Sequence, residues 1–278
     1  PMRRNTAPCI GWATYHIYAK NPNANVLVTP ADHLILQEDA FDEAIRRSLD
    51  YVKAHPKLVT LGVRPSRPET GYGYIQFTDV EDEHFVKVKT FTEKPNIEMA
   101  KVFYESGEFL WNSGMFAWNV QTILDAFHQY LPSLTSILDE VKGAYATDEE
   151  QSRVSQVFSE CPNISIDYAV LEKADNVMVL PVDFGWADLG TWGSLYELKR
   201  EEPRANVALH TKALFYEAEG NIVSLDGDPE KQLVVVQGIN DCIVAQSKGV
   251  LLICKRDEEQ RIKEFMGEAS VQFDKKFD

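Results

Sequence analysis

With 278 residues, 44% of them hydrophobic, the chain can bury one large core or a large domain beside a smaller one. Its 43 acidic residues outnumber 28 basic ones, and the formal net charge of −15 leaves no basic footprint for nucleic acid or an anionic membrane. No apolar run reaches the roughly 18 residues of a membrane span, the opening PMRRNTAPC lacks the apolar stretch of a secretory signal, and four scattered cysteines (Cys9, Cys161, Cys242, Cys254) at no metal-site spacing suit a reduced, cytoplasmic protein.

The first helix is expected over residues 9–18. Arg3-Arg4-Asn5-Thr6-Ala7-Pro8 opens it, with Thr6 as N-cap and Pro8 in the first turn. Two arginines at a helix start suit an anion or a base edge, and equally a capped surface helix. Residues 25–29 are a continuous apolar run of the buried, parallel-strand type, entering Pro30-Ala31-Asp32-His33. Asp32 suits a turn or cap, and also the carboxyl end of a strand, where open α/β sheets collect ligands. His33 reads as a packing or hydrogen-bonding residue. Phe41, Ala44, Ile45, Leu49 and Val52 recur at helical spacing, with Asp39 as N-cap and Pro56 as stop.

Residues 58–63 form the next strand, and 72–77 and 84–91 read as antiparallel or edge strands. Alternate glycines in Thr70-Gly71-Tyr72-Gly73-Tyr74 permit close approach of the backbone to a ligand, or mark the entry to a hairpin. In Glu93-Lys94-Pro95 the proline is expected to hold Lys94 extended, so that Glu93 and Lys94 face opposite ways without pairing. The acid suits sugar hydroxyls and the lysine a phosphate, although a solvated strand end has the same composition. A helix then runs to Gly107 as C′ residue. Asn112-Ser113-Gly114 lies in a strand over 111–118 between two tryptophans, which suits either a carbohydrate pocket or a core strand with one satisfied amide. Asn119 caps the following helix, and further helical stretches cover 133–142, 149–159 and 166–173.

After a buried strand over 177–182, Trp186-Ala187-Asp188-Leu189-Gly190-Thr191-Trp192 sets a carboxylate in a stiff aromatic frame. Asp32 and Asp188, at the mouths of separate elements in a parallel α/β sheet, are what a divalent cation on a phosphate substrate needs. Past Arg204 come short strands over 214–216, 222–225, 233–236, 242–245 and 250–253, punctuated by glycines, and a helix over 257–266. The expected domains are therefore 1–205 and 206–278, divided near Pro203.

In their order, Arg4-Asn5-Thr6-Ala7-Pro8, Pro30-Ala31-Asp32-His33, Thr70-Gly71-Tyr72-Gly73, Glu93-Lys94-Pro95, Asn112-Ser113-Gly114-Met115-Phe116, Ser165-Ile166-Asp167-Tyr168 and the Trp186–Trp192 segment resemble the bacterial mannose-1-phosphate guanylyltransferases of the sugar nucleotidylyltransferase family. The resemblance implies a Rossmann-like α/β nucleotidyltransferase domain and a small, left-handed β-helix-like C-terminal domain that the family uses in dimer contacts, hence a homodimer. It implies in-line attack by mannose 1-phosphate on GTP, giving GDP-mannose and pyrophosphate. Asp32 and Asp188 would hold Mg²⁺ or Mn²⁺, and Lys94 would clamp the sugar phosphate. Glu93, Asn112 and the Gly73 backbone would hold mannose hydroxyls, with Asp167 a sugar contact or a support behind one. Arg4, Asn5 and Thr6 would lie near guanine and its ribose. No base is required, because a phosphate is already a competent nucleophile.

The family opens with a Gly-rich phosphate loop that nothing here matches, so the expectation is a domain without its N-terminal strands and loop, turning over poorly by itself. Two alternatives stay open: a relative using another base and hexose 1-phosphate, and an inactive sugar-nucleotide-binding regulatory subunit.

Overall fold

A computed structural model describes residues 2–80 and 84–273, so the end of the expected C-terminal domain, 274–278, lies outside the described residues. Contacts divide the chain into two compact units: one runs to Ala31 and from Ile35 to Trp186, the other comprises Asp32–Leu34 and the chain from Ala187.

The first unit contains α1 (Thr6–Lys20), β1 (Asn25–Val28), part of β2 (Leu34–Ile35), α2 (Glu38–Ala54), β3 (Leu58–Val63), β4 (Tyr74–Val80) and β5 (Val86–Thr92). It continues through α3 (Ile97–Ser106), β6 (Phe109–Asn119), α4 (Val120–Tyr130), α5 (Pro132–Asp139), α6 (Glu150–Val157), β7 (Val177–Val182) and the start of β8 (Trp186–Ala187). Six strands form one sheet in the order β1-β6-β3-β7-β5-β4, with β4 also pairing with β6.

Among the described residues only β3 and β7 run parallel in this sheet; β1–β6, β3–β6, β4–β5, β4–β6 and β5–β7 are antiparallel. The expected parallel sheet is thus a mixed one. The 25–29 run forms an antiparallel edge strand, half-buried throughout, because an apolar run records burial and not the direction of its neighbour. β3 is buried at every position, and its side chains alternate between two cores. Leu58 joins Trp118, Ile123, Phe127 and Leu134 on the side of α1, α4 and α5, while Val59, Leu61 and Val63 join Met178, Leu180 and Phe184 on the α2 side. Each fully buried large side chain contributes about 2 kcal/mol, so the central strands hold the unit together. Gly62 permits this close packing: a Cβ there would lie 2.6 Å from the Val179 side chain and 2.7 Å from that of Leu110.

Helix ends follow local chemistry. The Asn96 side chain accepts from Met99 N–H at 2.9 Å, and Gly107 ends α3 in the left-handed region at φ 70°. Asn119 caps α4 as expected. Two expected caps move: Asn5, not Thr6, accepts from Thr6 N–H at the start of α1, and Gln37 precedes α2 while Asp39 sits inside its first turn.

The second unit holds α7 (Trp192–Lys199), β9 (Val207–Leu209), β10 (Lys212–Tyr216), β11 (Ile222–Leu225), β12 (Leu233–Gln237), β13 (Cys242–Ser247), β14 (Val250–Lys255) and α8 (Ile262–Gln272). β9, β11 and β13 stack in parallel, β10 and β12 form a second parallel pair, and β14 closes antiparallel on β13. This is the rung pattern of a short β-helix. Fully buried Asn221 ties the rungs, donating to Asn206 Oδ1 and to Ile239 O at 2.9 Å and accepting from Cys242 N–H at 3.0 Å. Tyr196 of α7 packs with Val207, Ile222 and Ile243, so the compact units divide at Trp186/Ala187, earlier in the chain than 205/206.

Candidate active site

Four of the expected residues meet in the first unit. Asn112, on β6, donates from Nδ2 to Asp167 Oδ1 at 2.8 Å, and its own N–H donates to Gly73 O at 2.8 Å. Asn112 Oδ1 accepts from Gly114 N–H at 3.2 Å, across a turn that needs Gly114 at φ 71°. Gly73 lies so close to Glu93 that a Cβ there would stand 2.7 Å from Glu93 Oε2. Asp167 begins a π-helical turn, Asp167–Leu171, which a sequence pattern does not distinguish from an ordinary helix. The turn closes with Glu172 N–H donating to Asp167 O at 2.9 Å, which brings a third carboxylate, unnoticed in the sequence, beside the cradle.

Crowded acids behave accordingly. Burial pushes the Glu93 carboxyl above its ordinary range; the neighbouring Asp167 adds to this, and Lys94 opposes it. Burial also raises Asp167, against the stabilising Asn112 hydrogen bond, and burial followed by Asp167 raises Glu172. The arrangement offers carboxyl and amide groups on three elements to a ligand rich in hydroxyls.

Lys94 corrects the expectation for its motif. It adopts φ 43°, not an extended conformation, and its Nζ lies 3.8 Å from Glu93 Oε1. Once β5 has ended at Thr92, strand alternation no longer governs the two side chains. The Lys94 side chain is 65% exposed, so this ion pair is loose enough to be exchanged for a phosphate.

The turn before Gly73 is built around Glu69, which is 4% exposed. Its Oε2 accepts from Arg67 Nη2 at 2.7 Å and its Oε1 from Gly71 N–H at 2.9 Å, while its own N–H donates to Tyr74 Oη at 2.9 Å. The Arg67 guanidinium lies over the Trp111 ring, 5.4 Å from its centroid, and Tyr72 meets that ring edge-on at 5.1 Å.

The Arg4-Asn5-Thr6 motif closes the first unit near the π-helical turn. Arg4 Nη2 donates to Ser159 O, Asn5 caps α1 at φ 68°, and Thr6 Oγ1 accepts from Ile166 N–H at 2.9 Å, next in the chain to Asp167.

Asp32 and Asp188 fall in the second unit. β2 and β8 pair as a two-stranded sheet, and each acid lies within two residues of its strand. Both carboxylates act on His33: Asp32 Oδ1 lies 4.0 Å from its Nε2, and each raises a pKa that burial nevertheless holds below the ordinary histidine value. Asp32 is 88% exposed. Asp188 is held instead, its Oδ1 accepting from Gly190 N–H at 3.0 Å and from Ser194 Oγ at 3.2 Å, with Leu189 at φ 53°. A Cβ on Gly190 would stand 3.0 Å from Asp188 Oδ2, so the small residue keeps that oxygen accessible. Two hard oxygen donors fit a cation such as Mg²⁺, which takes one or two carboxylates and completes its shell with substrate phosphates and water. Among the described residues no group of three or more potential metal ligands gathers. Ser194 is a supporting residue that the sequence pattern did not single out.

The model of the "Nucleotidyl transferase" family matches residues 1–204. The chain is 37% identical over 270 residues to "Mannose-1-phosphate guanylyltransferase" of Escherichia coli (strain K12), covering 95% of this chain and 55% of that one. To "Mannose-1-phosphate guanylyltransferase ManC" of Salmonella typhimurium it is 36% identical, with the same coverage of 95% and 55%. The chain thus spans about half the length of the curated relatives it matches. Among solved structures, a "mannose-1-phosphate geranyltransferase" from Thermus thermophilus superimposes with a TM-score of 0.81 at 29% identity, covering 97% of this chain and 76% of that one.

Proposed function

The chain belongs to the nucleotidyl transferase family, and on that premise we propose that it serves metal-dependent transfer of GMP from GTP to mannose 1-phosphate, giving GDP-mannose and pyrophosphate. The observation that carries this reading is the cradle of Gly73, Glu93, Asn112 and Asp167, together with relatives named for this reaction.

In this reading the Glu93 and Asp167 carboxylates accept hydrogen bonds from mannose hydroxyls, and the Asn112 amide and Gly73 backbone fix the face of the ring. Lys94 leaves its loose pair with Glu93 to neutralise the sugar phosphate, whose oxygen is already a nucleophile at neutral pH. Arg4, Asn5 and Thr6 lie near guanine and ribose. Asp32 and Asp188 would hold Mg²⁺ or Mn²⁺, which when bound offsets charge on the phosphates under attack. Alignment and charge neutralisation are then the whole task of the protein groups. A homodimer in the cytoplasm belongs to the same proposal; the four cysteines are all free, as a reducing compartment would keep them.

Calorimetric titration tests the substrate class. With Mg²⁺ present, GDP-mannose should bind more tightly than GDP, and both more tightly than UDP-glucose. Equal binding of all three would overturn the reading.

A further inference from the structure

We propose that Glu69 is a positioning residue for the sugar cradle: with Arg67 it clamps the 69–73 turn so that Gly73 stays against Glu93 and Asn112. The inference rests on the cradle taking the mannosyl group.

A carboxylate this buried is expensive to maintain unless its lone pairs are filled. Here each oxygen has one directed partner, Arg67 Nη2 on one and Gly71 N–H on the other. The clamp is braced from behind, since Arg67 lies over Trp111 and Tyr74 Oη takes the Glu69 N–H. Trp111 immediately precedes Asn112 on β6, and Asn112 N–H holds Gly73 O, so the same strand carries the brace and the ligand-facing amide. A single residue, Tyr72, separates the clamped Gly71 from Gly73, where even a Cβ would stand 2.7 Å from Glu93 Oε2. Slack at Gly71 therefore reaches the Gly73 carbonyl and the Glu93 carboxylate directly. An apolar side chain could fill the same volume at a smaller desolvation cost, but it could not aim Gly71 and Arg67 at once.

The test compares GDP and GDP-mannose binding, with Mg²⁺, to the full chain and to Glu69→Gln and Glu69→Ala, with thermal unfolding followed in parallel. The ratio of the two dissociation constants isolates the sugar's contribution. That ratio should fall about ten-fold in Glu69→Ala, while GDP affinity stays within about two-fold. Glu69→Gln retains an acceptor for Gly71 and the side-chain shape, so it should lie between the two and remain folded even if Glu69→Ala does not. A ratio unchanged in the folded variants overturns the proposal, as does an equal loss of both ligands, which is what a merely structural role gives. A wild-type chain with no preference for GDP-mannose over GDP overturns the proposed function, and this inference with it.

Discussion

Asn112 Nδ2 and Asp167 Oδ1 stand 2.8 Å apart, joining the middle of β6 to the first residue of the π-helical turn. The bond is the main favourable contact of a carboxyl that burial would otherwise drive further toward its neutral form. Stability and sugar recognition should therefore separate here. Asp167→Asn removes a buried charge and should leave stability within about 1 kcal/mol of wild type, or raise it. It should nevertheless erase most of the preference for GDP-mannose over GDP. Asn112→Ala strands the acid and should cost about 2 kcal/mol as well as the preference. Chemical denaturation and calorimetry on the two variants check both halves.

Gly73→Ala places a methyl group 2.7 Å from Glu93 Oε2, so the carboxylate must swing away. GDP-mannose affinity should drop about ten-fold with GDP affinity unchanged, whereas unchanged GDP-mannose affinity would remove Gly73 from the cradle.

Asp188 is aimed by Gly190 N–H and Ser194 Oγ. Ser194→Ala should raise the Mg²⁺ concentration needed for half-maximal GDP-mannose binding by about ten-fold, in line with the loss of other supporting bonds around metal ligands. Asp188→Ala should abolish the Mg²⁺ dependence altogether. A Mg²⁺ titration at fixed ligand reads both.

Two sets of acids should respond to pH with opposite sign. Glu93, Asp167 and Glu172 have raised pKa values, so the folded chain holds their protons more tightly than the unfolded chain does. Their ionised forms oppose folding, and that opposition is relieved as pH falls through the raised values. Sugar hydroxyls need the ionised forms as acceptors, so the GDP-mannose preference should fade as pH falls through these raised values, before ordinary carboxylates take up protons, while the fold persists. Glu150 behaves conversely. Burial alone would raise it, but His16 Nδ1 at 2.6 Å, Ala146 N–H at 2.8 Å and Trp12 Nε1 at 2.7 Å together hold it below the ordinary 4.5. Its contribution is complete above 4.5 and is lost as pH falls through the lower folded value. Glu150→Gln should therefore lower the unfolding temperature near neutrality, with the deficit shrinking only below the ordinary 4.5.

How much of this was legible depended on the kind of signal. β3 and β7 match their expected bounds, because each is a short, mostly apolar run of strand length bounded by polar or breaking residues. The end of α3 was legible at Gly107, since a glycine in the left-handed region is the dominant chemistry of a helix C-terminus. The direction of β1 was not legible, because antiparallel pairing with Trp118 and Phe116 leaves no mark on its own side chains. Lys94 was misjudged because the rule for residues before proline states a preference, and the left-handed turn with the Glu93 pair overrode it. The pairing of β2 with β8, beside which Asp32 and Asp188 lie, was not legible, because strands of two residues each are too short for any periodicity to show. Glu172 and Ser194 were missed for a related reason: a π-helical turn places the first, and a short loop after β8 brings Asp188 to the second in the first turn of α7, and neither has a repeating pattern.

The most direct measurement is calorimetric titration of the chain with GDP-mannose and Mg²⁺, with UDP-glucose as control and Asp188→Ala as the matched variant. Selective binding of GDP-mannose that is lost in Asp188→Ala is the expected result. Binding of UDP-glucose with equal affinity, or GDP-mannose binding indifferent to Asp188 and Mg²⁺, would contradict a metal-dependent guanylyl–mannose site.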